Sequence, residues 1–378
     1  MDVVQTPKNV LVVVLLAACM AQLILGATAE TTALERVTNA TNETSPLKKT
    51  ESAHDKNTIG IVTSDPNGTE FAAASEIATL IATGQETGPH GEVALHVVPM
   101  DGDGGVQNIR DVLTLAEADM SIVPVALLNR APAALGLGNV RQRIVYIAPL
   151  YEEEFHVVAP WTIRNISDLA GKTVNLGKKN SAVAVLGSEI FERLGLKVNV
   201  VYLDQSDAMS AMRTGEIAAD LMLASKPVGS LASYHWDFHI VAIPYLPVLK
   251  DFLPATLTHD DYPDLILRGQ GIDTIATRSV LIAYNWPKGS DRYRLLDLFV
   301  RTLFSRFLEL QTGTHHPQWR EVNLAATLPS WSRFPPAQRW LDQQEFESFL
   351  SKWGSGAKAD RARLFQDFLR WREQSGGG

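Results

Sequence analysis

The sequence has one cysteine, Cys19, among 378 residues. The remainder of the chain therefore has no disulfide framework, no Cys-rich zinc site, no iron–sulfur ligation and no cysteine nucleophile. It has no excess of positive charge. Lys plus Arg is 34 and Asp plus Glu is 42, for a formal charge of −8. That excludes the overall field of a general nucleic-acid binder, while leaving room for a local basic site for a small anion. Common enzyme signatures are missing too: there is no G-x-S-x-G elbow, P-loop or H-E-x-x-H. Gly136-x-Gly138 has no third glycine and no strand–helix context. Past the N-terminal region, no apolar run reaches membrane-spanning length. Hydrophobic residues at 46% and charged residues at 20% make an ordinary globular balance, and the length suits two packed lobes.

Residues 1–29 read as an export signal. Lys8 precedes an almost wholly apolar stretch from Val10 to Leu25, and Ala27-Thr28-Ala29 is a small-x-small cleavage site. The expectation is a cleaved signal peptide and a soluble, periplasmic mature protein. Leu16-Ala17-Ala18-Cys19 also fits the bacterial lipobox, in which case Cys19 would carry a lipid anchor. Against it, Met20 to Leu25 stays apolar where lipoproteins turn polar. Residues 30–57 are rich in Thr, Glu, Asn, Lys and Ser, bury too little to offset ordering entropy, and read as a flexible spacer.

From Thr58 the pattern alternates. Ile59–Thr63, Val93–Pro99 and Ala118–Val125 read as strands, with helices at Phe71–Ala82 and Val106–Ala116. After Pro160 it restarts, with strands at 172–176, 198–203, 218–224 and 240–243. Helices there span 181–194 and 206–214 and end at Gly195 and Gly215. Such alternation predicts an α/β fold with a mostly parallel sheet. Residues 272–285 return to a strand pattern, Arg292–Leu310 is a long amphipathic helix, and two more helices follow around 343–353 and 359–372. Trp340, Trp353 and Trp371 are expected packing anchors, and Ser375–Gly378 a disordered tail.

Three polar loops carry the candidate chemistry. Each follows a strand and opens a helix, a place where backbone N–H groups and the helix dipole favour a carboxylate or phosphate. They are Ser64-Asp65-Pro66-Asn67-Gly68-Thr69, Asp101 to Asn108 with its Gly104-Gly105 pair, and Asn175 to Ser181 with Lys178 and Lys179. A plain turn with a Thr69, Asn67 or Ser181 cap explains any one of them as well. Three of one type on two α/β units suggest helix N-termini aimed at one cleft. The alternating Asp101 and Asp103 lack the spaced ligands and distal Glu of an EF-hand, so no metal is expected. His315 and His316 are adjacent and do not share a helix face. Glu154 and His156 have the spacing to share one face of a strand.

Over roughly 58–325 the chain resembles the TAXI-type solute-binding proteins, extracytoplasmic receptors of a class of TRAP transporters. The landmarks are Gly68-Thr69, Gly104-Gly105-Val106-Gln107-Asn108-Ile109, Leu150-Tyr151-Glu152 with Phe155-His156-Val157-Val158, and Asp168-Leu169-x-Gly171-Lys172-x-Val174-Asn175-Leu176-Gly177. Weaker matches continue through Gly215–Asp220 and Lys226-Pro227. The resemblance implies a bilobed periplasmic-binding-protein fold with two Rossmann-like lobes and a ligand cleft between them. One lobe would comprise 58–158 and 273–330, the other 159–272, with 331–378 as a C-terminal helical extension. It implies a glutamate-like or other organic-acid solute and a TRAP permease as partners, with no cofactor. Of the family's ligand-facing motifs, Gly68, Thr69, Asn108 and Ser181 are matched here, and the candidate ligand-binding set adds Ser64, Asn67, Glu70, Gly105, Ala182 and Val183. The sequence departs from the family at Glu70, at Gly105 and at Ala182-Val183. If Glu70 faced the ligand, its charge would repel a carboxylate.

The function expected is solute capture by lobe closure and delivery to a permease, without covalent chemistry. A receptor that signals to a membrane sensor would have the same sequence. An enzyme on this scaffold would have to draw on Glu70, Tyr151 and His156.

Overall fold

The computed structural model describes Lys49 and residues 56–84, 95–136, 139–233, 237–353 and 361–375. The export signal, Cys19, the side chains of Trp353 and Trp371, and Gly376–Gly378 lie outside the described residues. Lys49 falls in the segment expected to be a spacer, yet it is buried. Its Nζ donates to the carbonyls of Val112 at 3.0 Å and Ala118 at 2.5 Å. Burial pulls its pKa down to about 8.

One mixed sheet organises the chain. Strands β1 (Thr58–Val62), β2 (His96–Met100), β3 (Met120–Pro124), β4 (Ile144–Pro160), β5 (Thr173–Asn175), β6 (Asn199–Val201), β7 (Ala219–Ala224) and β10 (Gly271–Tyr284) run in the order β2-β1-β3-β10-β4-β7-β5-β6. Two more, β8 (Phe238–Val241) and β9 (Leu253–Thr258), pair with β4 and β10. Pairs β1–β2, β1–β3, β5–β6 and β5–β7 are parallel, as the alternation predicts. The long strands β4 and β10 are antiparallel to each other and to their other neighbours. The sheet is thus mixed rather than mostly parallel. Two α/β units are joined by two extended strands that belong to both.

Each half has its own cores because the central strands β1, β3, β4 and β10 are buried on both faces. In the first half, α1 (Thr69–Thr83) packs with α7 (Asp291–Gln311) and α8 (Pro335–Trp353) on one side. Ile77, Leu296, Phe299 and Phe334 meet Ile59 and Ile61 there. On the other side lie α2 (Val106–Thr114) and α3 (Val125–Leu135). In the second half, α5 (Ala182–Arg193) covers one face through Leu186, Ile190 and Phe191, and α6 (Gln205–Thr214) covers the other. A short α4 (Val140–Arg143) leads into β4. Helix α3 straddles the junction: Ala126 and Leu127 join the second half's core while Leu128 and Ala131 join the first half's. Gly60 has no side chain because an added Cβ would lie 2.1 Å from the Glu117 carbonyl oxygen.

The C-terminal extension is part of this architecture. Phe334 N donates to Tyr146 O at 2.8 Å, and Tyr146 N to Ser332 O at 3.0 Å. Phe334 and Ala337 enter the first core, and Trp340 meets Phe304 edge-on. A last helix, α9 (Arg361–Ser375), brings Phe365 and Phe368 to Phe346 of α8. Among the described residues no helix is long and apolar enough to cross a membrane.

Candidate functional site

The three polar loops converge where the two halves meet. The loop after β1 places Ser64 and Asp65 beside the loop after β2, whose Gly105 forms a single antiparallel bridge with Ser181 at the start of α5. Ala182 N donates to Gly104 O at 3.1 Å. A Cβ on Gly105 would lie 1.9 Å from Asn180 O, so only glycine lets the two backbones touch. Asn180 itself has φ 70, in the left-handed region that Asn tolerates.

Polar contacts extend this seam. Lys178 Nζ lies 2.6 Å from Asp65 Oδ2. Their hydrogen bond holds the Asp65 carboxyl below, and the Lys178 ammonium above, their ordinary values. Both are largely exposed, so the pair contributes at most about 1 kcal/mol. Arg130 of α3 grips Glu189 of α5 at 2.5 Å, and Arg193 links Glu189 to Asp251. A seam this polar can open at modest cost, unlike the two apolar cores beneath it.

The expected site residues divide into groups. Asn67 is exposed and braces its own turn against Asp65. Gly68 is the N-cap of α1, with no side-chain cap from Thr69 or Asn67. Asn108 is fully buried and ties the loops together. Its Nδ2 donates to Thr63 O at 2.8 Å and its Oδ1 accepts from Gly104 N at 3.2 Å. Ser181 caps α5, accepting from Ala184 N at 3.2 Å. Ala182 is buried, and Val183 packs over Gly177. Ser64, Thr69 and Glu70 point to a different place, the base of the junction.

At that base lies a carboxylate pair. Glu70 is 7% exposed and Glu153 fully buried. Glu153 sits on β4 between Tyr151, a member of the first core, and Phe155, a member of the second. Ser64 Oγ donates to Glu70 Oε2. Burial drives the Glu70 carboxyl above its ordinary value, against the Ser64 hydrogen bond. Burial and then the Glu70 charge drive Glu153 well above it. The phenol of Tyr151 is pushed up by burial and by Glu153, Glu70 and Glu76. Glu153 faces Ser279 of β10 as well as Glu70.

The opposite face of β4 carries a second polar set. Glu154 accepts from Lys226 N at 3.1 Å, and burial raises its pKa to about 7 against the nearby Lys226 charge. His156 Nε2 shares a 2.8 Å hydrogen bond with Tyr262 Oη, and burial lowers its pKa to about 4. Glu154 and His156 do share a face, as their spacing predicts. That same alternation separates His156 from Glu70, Glu153 and Tyr151, so the three groups named for catalysis are not assembled.

His156 has a measurable consequence. Its unfolded pKa is near 6.5 and its folded pKa is lower, so its contribution is whole above about pH 6.5 and is lost as the pH falls through 4. Glu154 runs the other way: its contribution is whole below the ordinary glutamate range and is lost as the pH rises through 7. Relative to His156→Gln, the wild type should lose about 3 kcal/mol between pH 6.5 and 4. Urea unfolding at a series of pH values measures it. A pH-independent difference would show that the imidazole is not held neutral.

The sequence reading missed Glu153 and Ser279. The signal was there in Glu152-Glu153-Glu154: three successive acids in a strand put at least one on each face, and both faces of β4 are covered. Glu152 pairs with Arg278 at 3.2 Å, and Glu153 is left inside.

A model of the NMT1-like family matches residues 61–329. Among solved structures, the chain is similar to holo ArgBP from T. maritima at 12% identity and a TM-score of 0.40, over 68% of this chain and 92% of that one. It is similar to the substrate-binding protein of an amino acid ABC transporter at 14% and 0.41, over 67% and 94%. It is also similar to the alkanesulfonate-binding protein SsuA from Xanthomonas axonopodis pv. citri, bound to MOPS, at 14% and 0.40, over 80% and 95%.

Proposed function

From the premise that the chain belongs to the NMT1-like family, we propose that it is an extracytoplasmic solute-binding receptor that closes two lobes on a small molecule. The observation that carries this reading is the junction. Two α/β halves, each with its own core, are joined through β4 and β10 and meet again at the Gly105–Ser181 bridge. Buried Asn108 ties the loops of the first half together beside that bridge. A shallow polar seam over two rigid halves suits an open–closed equilibrium that a ligand touching both halves would bias. The lobes would divide within β4 and β10.

The finer reading is a TAXI-type receptor that hands its solute to a TRAP permease in the periplasm, with residues 1–29 as the cleaved signal. No covalent step is assigned to it. A carboxylate on the solute would be served by the N-termini of α1, α2 and α5, which the three loops bring to the junction.

The test is a thermal-shift screen of the chain from residue 30 onward against amino acids, organic acids, amines, sugars and phosphates, followed by small-angle X-ray scattering. A solute at 100 times its Kd should add about 2.7 kcal/mol of stability, and the same solute should reduce the radius of gyration. If no solute does either, the receptor reading is wrong.

A further inference from the structure

We propose that the solute carries a cationic nitrogen, an ammonium or guanidinium group, which ion-pairs with Glu70 and Glu153 at the base of the junction. The inference rests on the receptor reading and specifies the chemistry of that same site.

The first observation is charge. Two carboxyl groups face each other where water does not reach, one from the first turn of α1 and one from β4. Among the described residues, no arginine, lysine or histidine pairs with either. The neighbouring positive charge, Arg278, is engaged with Glu152. The other titratable groups that act with the pair are Tyr151 and Glu154, which add no positive charge, and His315 is engaged with Glu76.

A second observation is independent of charge. Neither carboxylate oxygen of Glu153 has a hydrogen-bond partner, nor do Ser279 Oγ and Thr69 Oγ1, and all four atoms are buried. Glu153 and Ser279 are both 0% exposed. Buried polar atoms are nearly always paired, and orphans in a native fold mark a strained or functional place. The unpartnered oxygens of Glu153, with Ser279 Oγ facing them, ask for something rich in N–H donors. An ammonium offers three and a guanidinium five, and either one would also neutralise the pair. A carboxylate placed there would add a third negative group to two desolvated ones.

A third observation is access. The groups come from α1, β4 and β10, and the Gly105–Ser181 bridge forms between the loops of the two halves. Ser64, which donates to Glu70, packs against the Gly104–Gly105 loop that makes this bridge, so parting the halves would loosen one wall of the base. Closing them over a cation would seal an ion pair away from water, where charge recognition is most selective. The Glu70 departure from the resembled family then acquires a reason. The residue that would repel an organic acid would anchor an amine, and an amino acid could satisfy both this pair and the helix N-termini.

The experiment uses the whole chain from residue 30. The probes are agmatine, putrescine, choline and arginine, with succinate and glutarate as acids lacking a cation. At least one cationic probe should raise the melting temperature and compact the protein in scattering. Glu153→Gln should weaken that probe at least 100-fold while melting no lower than the wild type at neutral pH without solute. The variant keeps the shape and removes one of two facing desolvated carboxyls, so a lost fold would not mimic lost binding. If the dicarboxylates alone bind, or if Glu153→Gln binds the cation as the wild type does, this inference is overturned and the receptor reading survives. If no probe and no other solute class shifts melting or compaction, both fall together.

Discussion

Replacing Gly105 with valine should weaken solute binding roughly 100-fold, a loss of about 2.7 kcal/mol, while leaving the fold intact. The added Cβ would sit 1.9 Å from Asn180 O and 3.0 Å from Asn180 C. Those are backbone atoms of the other half and cannot rotate aside. Gly105 has φ −121, which any residue adopts, so the substitution strains nothing in its own half. Its cost falls on closure alone. Isothermal titration would give the affinity, and scattering would show a radius of gyration that no longer shrinks on adding solute. Gly229→Ala is the control, since an added Cβ there meets nothing within 4 Å. Wild-type affinity in Gly105→Val would mean that the observed contact between the halves is not part of the bound state.

The largest stability effect is expected at Arg292. This residue, in the first turn of α7, clamps Asp119 through two nitrogens, Nε donating to Oδ1 at 3.0 Å and a terminal nitrogen to Oδ2. Its other terminal nitrogen donates to Thr58 O at 3.0 Å, and Asp119 Oδ2 also accepts from Gly60 N at 3.1 Å. Arg292 is 6% exposed and Asp119 fully buried. Arg292→Met keeps the length and packing but strands a carboxylate in the interior, at a cost of about 3–5 kcal/mol. The melting temperature should fall by on the order of 10 °C. Adding Asp119→Asn should recover most of that loss, because the stranded charge rather than the missing attraction carries the penalty. A single variant melting within 2 °C of the wild type would mean that Lys49, whose pKa Asp119 already influences, takes over as counter-ion.

The elements that were legible in the sequence are those with local punctuation. Helix α5 announces itself by Ser181 and Gly195, and α6 ends at Gly215, whose φ of 77 is the left-handed stop that glycine supplies. The restart of the pattern after Pro160 coincides with the end of β4. The architecture was harder to read because its decisive strand carries misleading chemistry. β4 runs 17 residues with Pro149 and three consecutive glutamates inside it, which read locally as a break. Only burial on both faces, a tertiary fact, makes it one strand. Helix α3 was missed for a related reason: it follows β3 with no side-chain cap and carries Pro132 within it. At the site, the loops were found by their polar composition. The carboxylate pair was not, because Glu70 and Glu153 are distant in sequence and their pairing appears only when α1 and β4 are packed together.

The two strands that join the halves also set an order of events during synthesis. The chain leaves the first half at Pro160 and returns at Gly271, where β10 begins. In the sheet, β10 lies between β3 and β4. At typical elongation rates of about 5–20 residues per second, β3 and the inner edge of β4 wait roughly 5–20 s for the strand that separates them. Throughout that interval they expose unpaired edges of the kind that recruit other chains. The second half has no such gap, since β5, β6 and β7 follow one another and β7 pairs with the C-terminal end of β4. The half that emerges first is therefore the last to close.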